Sequence, residues 1–460
     1  MTELPEKITL EKWDERFEKL SQKGLPQPAY GGPLGRHLAD GDLRLLKLKY
    51  DNSPASLRLW NFLLTEEDRL HEARREGKKI IGTMKDLGTI SVIAYSFDDV
   101  VAFYPDGAWW IPCVMELSAG LLEIADTLGI DESFCPVRAM LGAFVTGAHF
   151  PIPDALICSV GATCDDFSAI AQRLNNMGQP IFWWEIPHRR RPEAGEKAVV
   201  LPGGFPAPAE QVEFVNSELK RIITYIEYLT GQKLDNEKLS TGIKKANEFR
   251  RLLAELRRLV FTAHLSPLPA LEMLIAEMLA IHFCSDRDEA IVVLAELLGE
   301  VKNRIKEGKG FGRNDDVKIF WVNPVADLQV MNLFEDCGGR ICGTEYLFSH
   351  AIDEITEDIP PVQALAQMAL ADPMVGSSAD RAERICSDIS EFGSEAVIIS
   401  RIPGASHCAL EGKIISQIVR SRLDIPVVEL EVDVVTDSYR PAIRTRFEAI
   451  IETVKKRRQK

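Results

Sequence analysis

Hydrophobic positions along the chain fall into two rhythms. Residues 1–75 are helical and polar: WDERFEKL and LWNFLLTEEDRLHEARREG set apolar residues at helical spacing among charges. From residue 76 the pattern changes to short apolar runs: KKIIGT (78–83), SVIAYSF (91–97), DALICSV (154–160) and PIFWWEI (180–186). Longer amphipathic stretches, among them 113–130 and 165–178, lie between them. Short buried strands separated by helices predict a parallel sheet covered on both faces, so residues 76–200 read as a first α/β lobe. LPGGFPAP (201–208) then breaks the pattern.

Val212, Val215, Leu219, Ile222, Ile226 and Leu229 recur at threes and fours, and Gly231 follows as a C-cap. Further helices are expected at 236–262, 268–284 and 286–307, with LSPLPA (265–270) as a turn, so 201–312 reads as a helical region. The strand texture returns in VKIFWVN (317–323), EAVIISR (395–401) and IPVVELEVD (425–433), with a helix expected over 408–423. Residues 313–460 thus form a second α/β lobe, ending in the solvated helix terminus KKRRQK. The expected fold is α/β: two lobes with parallel sheets, a helical N-terminal segment and a helical insertion. Such folds place ligands at the C-terminal ends of their strands and in clefts between lobes.

Composition narrows the function. Of 460 residues, 46% are apolar and 27% charged, as in an ordinary globular protein. Asp and Glu outnumber Lys and Arg 69 to 54, for a net charge of −15; such a chain lacks the basic balance that nucleic-acid binding needs. The N-terminal stretch has no apolar core of signal-peptide length. The most apolar helical stretch, 270–283, is too short for a bilayer and carries Glu272 and Glu277. The expectation is a cytoplasmic protein with no membrane segment, whose nine cysteines stay reduced.

Several chemistries lack their signatures. GKGFG (308–312) precedes a strand where a phosphate loop would follow one, and GxxxxGK[ST], HExxH, GxSxG and CxxC do not occur. The cysteines say more. Cys135 opens FCPVRAMLG after an expected helix; Cys164 (in CSVGATCDD) and Cys408 (in SRIPGASHCALEG) each lie between a strand and a helix. A helix N-terminus stabilises thiolate. Three thiolates at the mouths of two lobes suit one iron–sulfur cube with an open iron; three unrelated buried cysteines are the other reading.

The order FCPVR, then ATCDD, then a late cysteine followed by a helix and IPVVELEVD, resembles the 2-hydroxyacyl-CoA dehydratase/benzoyl-CoA reductase family. RTRFEAIIE (444–452) resembles that family's ending, and the likeness spans roughly 75–452. The resemblance implies two flavodoxin-like lobes and a [4Fe-4S] cluster ligated by Cys135, Cys164 and Cys408. It further implies a homologous second subunit, an ATP-hydrolysing iron–sulfur activator and an acyl-CoA substrate. LADPMVGSSADR (370–381), where double-cubane relatives carry paired cysteines, contains none, so one cluster is expected. Cys337 and Cys342, in a C-x4-C beside an apolar strand, are either extra ligands or, as favoured, structural, and Cys113, Cys158, Cys284 and Cys386 are assigned to packing.

The resemblance implies radical chemistry. One electron on a thioester carbonyl gives a ketyl radical anion, which expels the α-hydroxyl and makes the β-proton removable. Dehydration of a 2-hydroxyacyl-CoA is the expected outcome, with reduction of an aroyl-CoA and a non-catalytic electron-relay subunit as alternatives. His407 is a candidate for proton transfer or for a hydrogen bond to a sulfide, or else a spectator packed beside the cluster; Ser406 is a candidate for a bond to the thioester oxygen; and Glu116 is either a polar face residue of an amphipathic helix or a proton-transfer group. Trp109–Trp110 and Trp183–Trp184 are either core or an aromatic pocket. His188–Arg191 is either a CoA phosphate contact or a solvated loop.

Overall fold

The computed structural model describes residues 4–24, 32–40, 43–84, 86, 88–107, 118–282, 284–406, 410–434 and 436–460; at 39, 40, 118, 119, 348 and 349 it describes the backbone alone. Two four-stranded sheets organise these residues. The first is built from β1 (Lys79–Met84), β2 (Val100–Phe103), β3 (Ala155–Gly161) and β4 (Ile181–Ile186), in the order β2-β1-β3-β4. The second comprises β5 (Val317–Val322), β6 (Gly339–Glu345), β7 (Ala396–Arg401) and β8 (Val427–Glu431), in the order β6-β5-β7-β8. All neighbouring strands are parallel. The lobes therefore repeat one Rossmann- or flavodoxin-like topology. Its switch point lies between β1 and β3 in the first lobe and between β5 and β7 in the second.

Burial explains why these runs form strands. Ala155 through Ser159 of β3 are all buried, as are Ala396 through Ser400 of β7, the mark of strands covered on both faces. Cys158 pairs with Met84 on one side and Trp183 on the other. At the end of β3, Gly161 has φ +100°, and a Cβ there would lie 2.2 Å from the Ile186 carbonyl oxygen. That oxygen accepts the Ala162 amide at 2.8 Å. Only glycine permits this turn, which sends the chain toward Cys164.

The helical region follows its sequence pattern closely. Ala209–Thr230 ends at Gly231 with φ +70°, Asn236–Thr262 is capped by Asp235, and Arg287–Glu307 is capped by Asp286. The helix expected over 268–284 is shorter, at Ala270–Met278. One expectation fails outright. SVIAYSF is no strand: Ile90–Ala94 is a wholly buried helix, and the strand of this region is β2. A buried helix is apolar on every side and shows no period. β6, whose sequence GRICGTE is rich in glycine and polar residues, is not among the expected strands.

One continuous core joins the N-terminal helices, the helical region and the inner face of each sheet; Trp13, Trp60, Trp184 and Trp321 are fully buried. Separate cores lie beneath the other faces of the two sheets. The helical region thus cements the lobes together. Among the described residues no helix is long and apolar enough to cross a membrane.

Candidate metal centre

Cys164 follows β3 and is the N-cap residue of the helix Asp165–Asn176; its side chain is half-buried. Cys135, also half-buried, precedes the turn Pro136–Arg138, which runs into the helix Ala139–Thr146. Cys408, His407 and Glu116 lie outside the described residues, as do Cys113, Trp109 and Trp110. The chain on either side of Cys408 is described: β7 ends at Arg401, and Ser406 precedes the cysteine by two residues. Since β7 occupies in the second lobe the place of β3 in the first, the Cys164 and Cys408 segments leave equivalent switch-point strands.

Asp166 joins the three cysteine-bearing segments. Its Oδ2 accepts the Ser406 amide at 3.1 Å and the Ser406 hydroxyl at 3.0 Å, and takes the Cys164 thiol at 3.6 Å. Its Oδ1 accepts the Cys135 amide at 3.5 Å. Asp166 is itself 4% exposed. A second contact draws the same segments together: Gly404, with φ +78°, lies so close to Phe134 that a Cβ would stand 2.3 Å from the Phe134 carbonyl oxygen. Cys135 packs against a small apolar cluster of Ala326, Ile402 and Ala405, two of them from the Cys408 segment.

The donor set suits a thiophilic metal group. Two half-buried cysteines at helix or turn N-termini face the segment that carries a third, and a helix N-terminus favours thiolate over thiol. The remaining cysteines contrast with them. Cys158, Cys284, Cys342 and Cys386 are buried, and burial raises the thiol pKa of Cys337, Cys342 and Cys386 and pushes that of Cys284 to about 12. Cys337 caps the helix Gln329–Asp336 and Cys342 sits within β6. Among the described residues no three His, Cys, Asp or Glu side chains form a metal-sized group; a triad at this centre needs Cys408.

Buried charges surround the second switch point. Arg381, 1% exposed, donates to both Glu345 oxygens at 2.8 and 2.7 Å, to Asn323 at 2.6 Å and to Glu411 at 2.6 Å. His350 bridges Glu345 and Asp372, the latter at 3.1 Å. Burial opposes its charge, but the Asp372 and Glu345 carboxylates prevail and raise its pKa to about 9. Glu345 is held at about 2: burial works against ionisation, and Arg381 and His350 outweigh it. Glu411 ties this network to the chain just after Cys408. At the first switch point Asp86, 4% exposed, accepts the Thr83 hydroxyl at 2.6 Å and the Thr89 amide at 2.8 Å, opening the helix Ile90–Ala94.

Sequence reasoning missed Asp166, Asp86 and the Arg381 network. The acidic pair after Cys164 was the one available signal, since a carboxylate in a first helical turn reads as an ordinary partner of the helix dipole. The basic run resolves into internal pairs. Arg189 is buried on the Leu370 and Asp372 carbonyls, Arg190 pairs with Glu196, and Arg191 pairs with Asp380. Trp184 is core, and Trp183 packs at the edge of the first lobe's core.

Comparison with protein families matches residues 92–454 to the model described as 2-hydroxyglutaryl-CoA dehydratase, D-component. Comparison with curated proteins finds no match.

Proposed function

Because the chain belongs to the 2-hydroxyglutaryl-CoA dehydratase D-component family, we propose that it is the iron–sulfur subunit of an (R)-2-hydroxyacyl-CoA dehydratase-type radical enzyme. Cys135, Cys164 and Cys408 would hold a single [4Fe-4S] cluster. The observation that carries this reading is the Asp166 side chain, which touches the segments of all three cysteines. When bound, the cluster supplies one low-potential electron to the thioester carbonyl, so that the α-hydroxyl can leave.

The chain's own residues orient and insulate. The Cys164 helix and the Cys135 turn present sulfur from the first lobe, and the close approach of Gly404 to Phe134 seals the second lobe against it. Packing of Ile402, Ala405 and Ala326 around Cys135 keeps water from that side. Ser406 is the candidate for a bond to the thioester oxygen, and His407 and Glu116 are the proton-moving candidates. A homologous second subunit completes the acyl-CoA cleft, and a separate ATP-hydrolysing iron–sulfur activator delivers the electron in the cytoplasm.

Iron, acid-labile sulfide and an EPR spectrum on anaerobically purified protein test this reading. About four irons and four sulfides per chain support one cube. Cys135→Ala, Cys164→Ala and Cys408→Ala each abolish the signal, whereas Cys386→Ala retains it. An iron-free, folded wild-type chain overturns the reading. With an activator and reductant, loss of water from a 2-hydroxyacyl-CoA marks the dehydratase.

A further inference from the structure

We propose that Asp166 is a positioning residue that also keeps the bound cluster hard to reduce. This rests on the cluster reading above and concerns a property which that reading leaves open. The potential of an iron–sulfur cluster follows the net charge around it and the hydrogen bonds donated to its sulfurs: donors raise it and negative charge lowers it. Asp166 works on both quantities in the same direction.

The first effect is the removal of donors. The Ser406 amide and hydroxyl, two residues before Cys408, both point at Asp166 Oδ2, at 3.1 and 3.0 Å. The Cys135 amide points at Oδ1 from 3.5 Å. These are N–H and O–H groups of the kind that commonly bond cluster sulfur, and here a carboxylate takes them. The second effect is charge. Oδ2 stands 3.6 Å from the Cys164 sulfur, which as an iron ligand is a thiolate with no proton to share. At 4% exposure Asp166 is poorly screened by solvent, and among the described residues it forms no ion pair with Lys, Arg or His. Its neighbour Asp165 is exposed and screened. A cluster that is hard to reduce gives up its electron more readily, which suits donation to a thioester carbonyl.

A purely structural clamp would have a different signature. It would govern how much cluster is retained and leave the potential of the retained cluster alone. Asp166→Asn separates the two, because an amide oxygen still accepts the Ser406 amide while the charge is gone.

The test uses the full chain purified without oxygen, with iron content measured first and midpoint potential read by EPR-monitored titration. The expected result is that Asp166→Asn keeps most of its iron and its midpoint shifts to more positive values, while Asp165→Asn leaves the midpoint unmoved. Asp166→Ser, neutral and smaller, serves as a second variant and shifts the same way. An unchanged or more negative midpoint in an iron-loaded neutral variant overturns the proposal, as does loss of iron from both variants, which would mark a structural clamp alone. A wild-type chain without iron is a separate failure, that of the cluster reading itself.

Discussion

Gly404 of the second lobe lies over the Phe134 carbonyl of the first, with room for hydrogen and none for a methyl group: a Cβ would stand 2.3 Å from the oxygen. This contact brings the Cys408 segment against the Cys135 turn. Gly404→Ala should therefore do two things. Its φ of +78° costs about 1 kcal/mol for a residue with a side chain, and the clash moves the two segments apart. Gly195→Ala is the control, with φ +91° and nothing within 4 Å of a Cβ. Both variants should lower the thermal midpoint, but only Gly404→Ala should lower iron per chain. Full iron in Gly404→Ala would remove this contact from the site's assembly.

Arg381 is the hub of the buried charges behind the Cys408 segment. Arg381→Met removes the guanidinium that donates to Glu345, Asn323 and Glu411, and breaking a buried ion pair on one side costs about 3–5 kcal/mol. Arg381→Lys keeps the charge but cannot span both Glu345 oxygens and Asn323 together, so it should recover less than half of the loss. Chemical denaturation of the two variants checks this. Near-complete rescue by lysine would mean that the fork geometry is unimportant.

His350 predicts an alkaline limit to stability. Its folded pKa of about 9 lies above its ordinary 6.5, so the charged form contributes fully below pH 6.5 and is lost as pH rises through 9. His350→Gln should be less stable than wild type at pH 6, with the gap in thermal midpoint closing by about pH 9 to 10. A gap that stays constant across this range would show that the histidine does not titrate there.

Glu272 predicts the opposite response to substitution. It is fully buried; burial first and Asp51 second raise its pKa to about 8, from 4.5. The folded state then holds a proton that the unfolded chain has released, and stability from this group declines as pH rises from 4.5 through 8. Glu272 Oε1 accepts the Asp51 amide at 2.9 Å and the Trp60 indole at 3.2 Å, contacts that an amide oxygen can repeat. Glu272→Gln should gain on wild type between pH 5 and 8 and then level off. Thermal midpoints at half-unit steps would show it; a variant that loses ground toward pH 8 would contradict it.

Legibility in the sequence varied with period. Helices with one solvated face announced themselves, and 236–262 and 286–307 match Asn236–Thr262 and Arg287–Glu307 to within a residue. Ile90–Ala94 gave no such signal because every residue in it is buried. Strands with unbroken apolar runs were plain, while β2 is four residues long and β6 is interrupted by Gly343, where the ladder shifts register. At the site, cysteine type and local context singled out 135 and 164. The residue that joins their segments, Asp166, looked like any acidic residue in a first helical turn.

The sequence by itself determined the residue types and the local settings: which cysteines sit at N-termini, where the helices stop, and that two α/β lobes flank a helical region. These depend on neighbours within a few residues, through hydrogen-bond capping, side-chain period and backbone freedom. Only the tertiary structure decided that Asp166 meets Ser406 across 240 residues, that Gly404 meets Phe134, and that Arg381 gathers Glu345, Asn323 and Glu411. Those meetings arise because two sheets of the same strand order pack with their switch-point loops facing. No local pattern encodes the distance between groups whose separation is set by the packing of whole lobes.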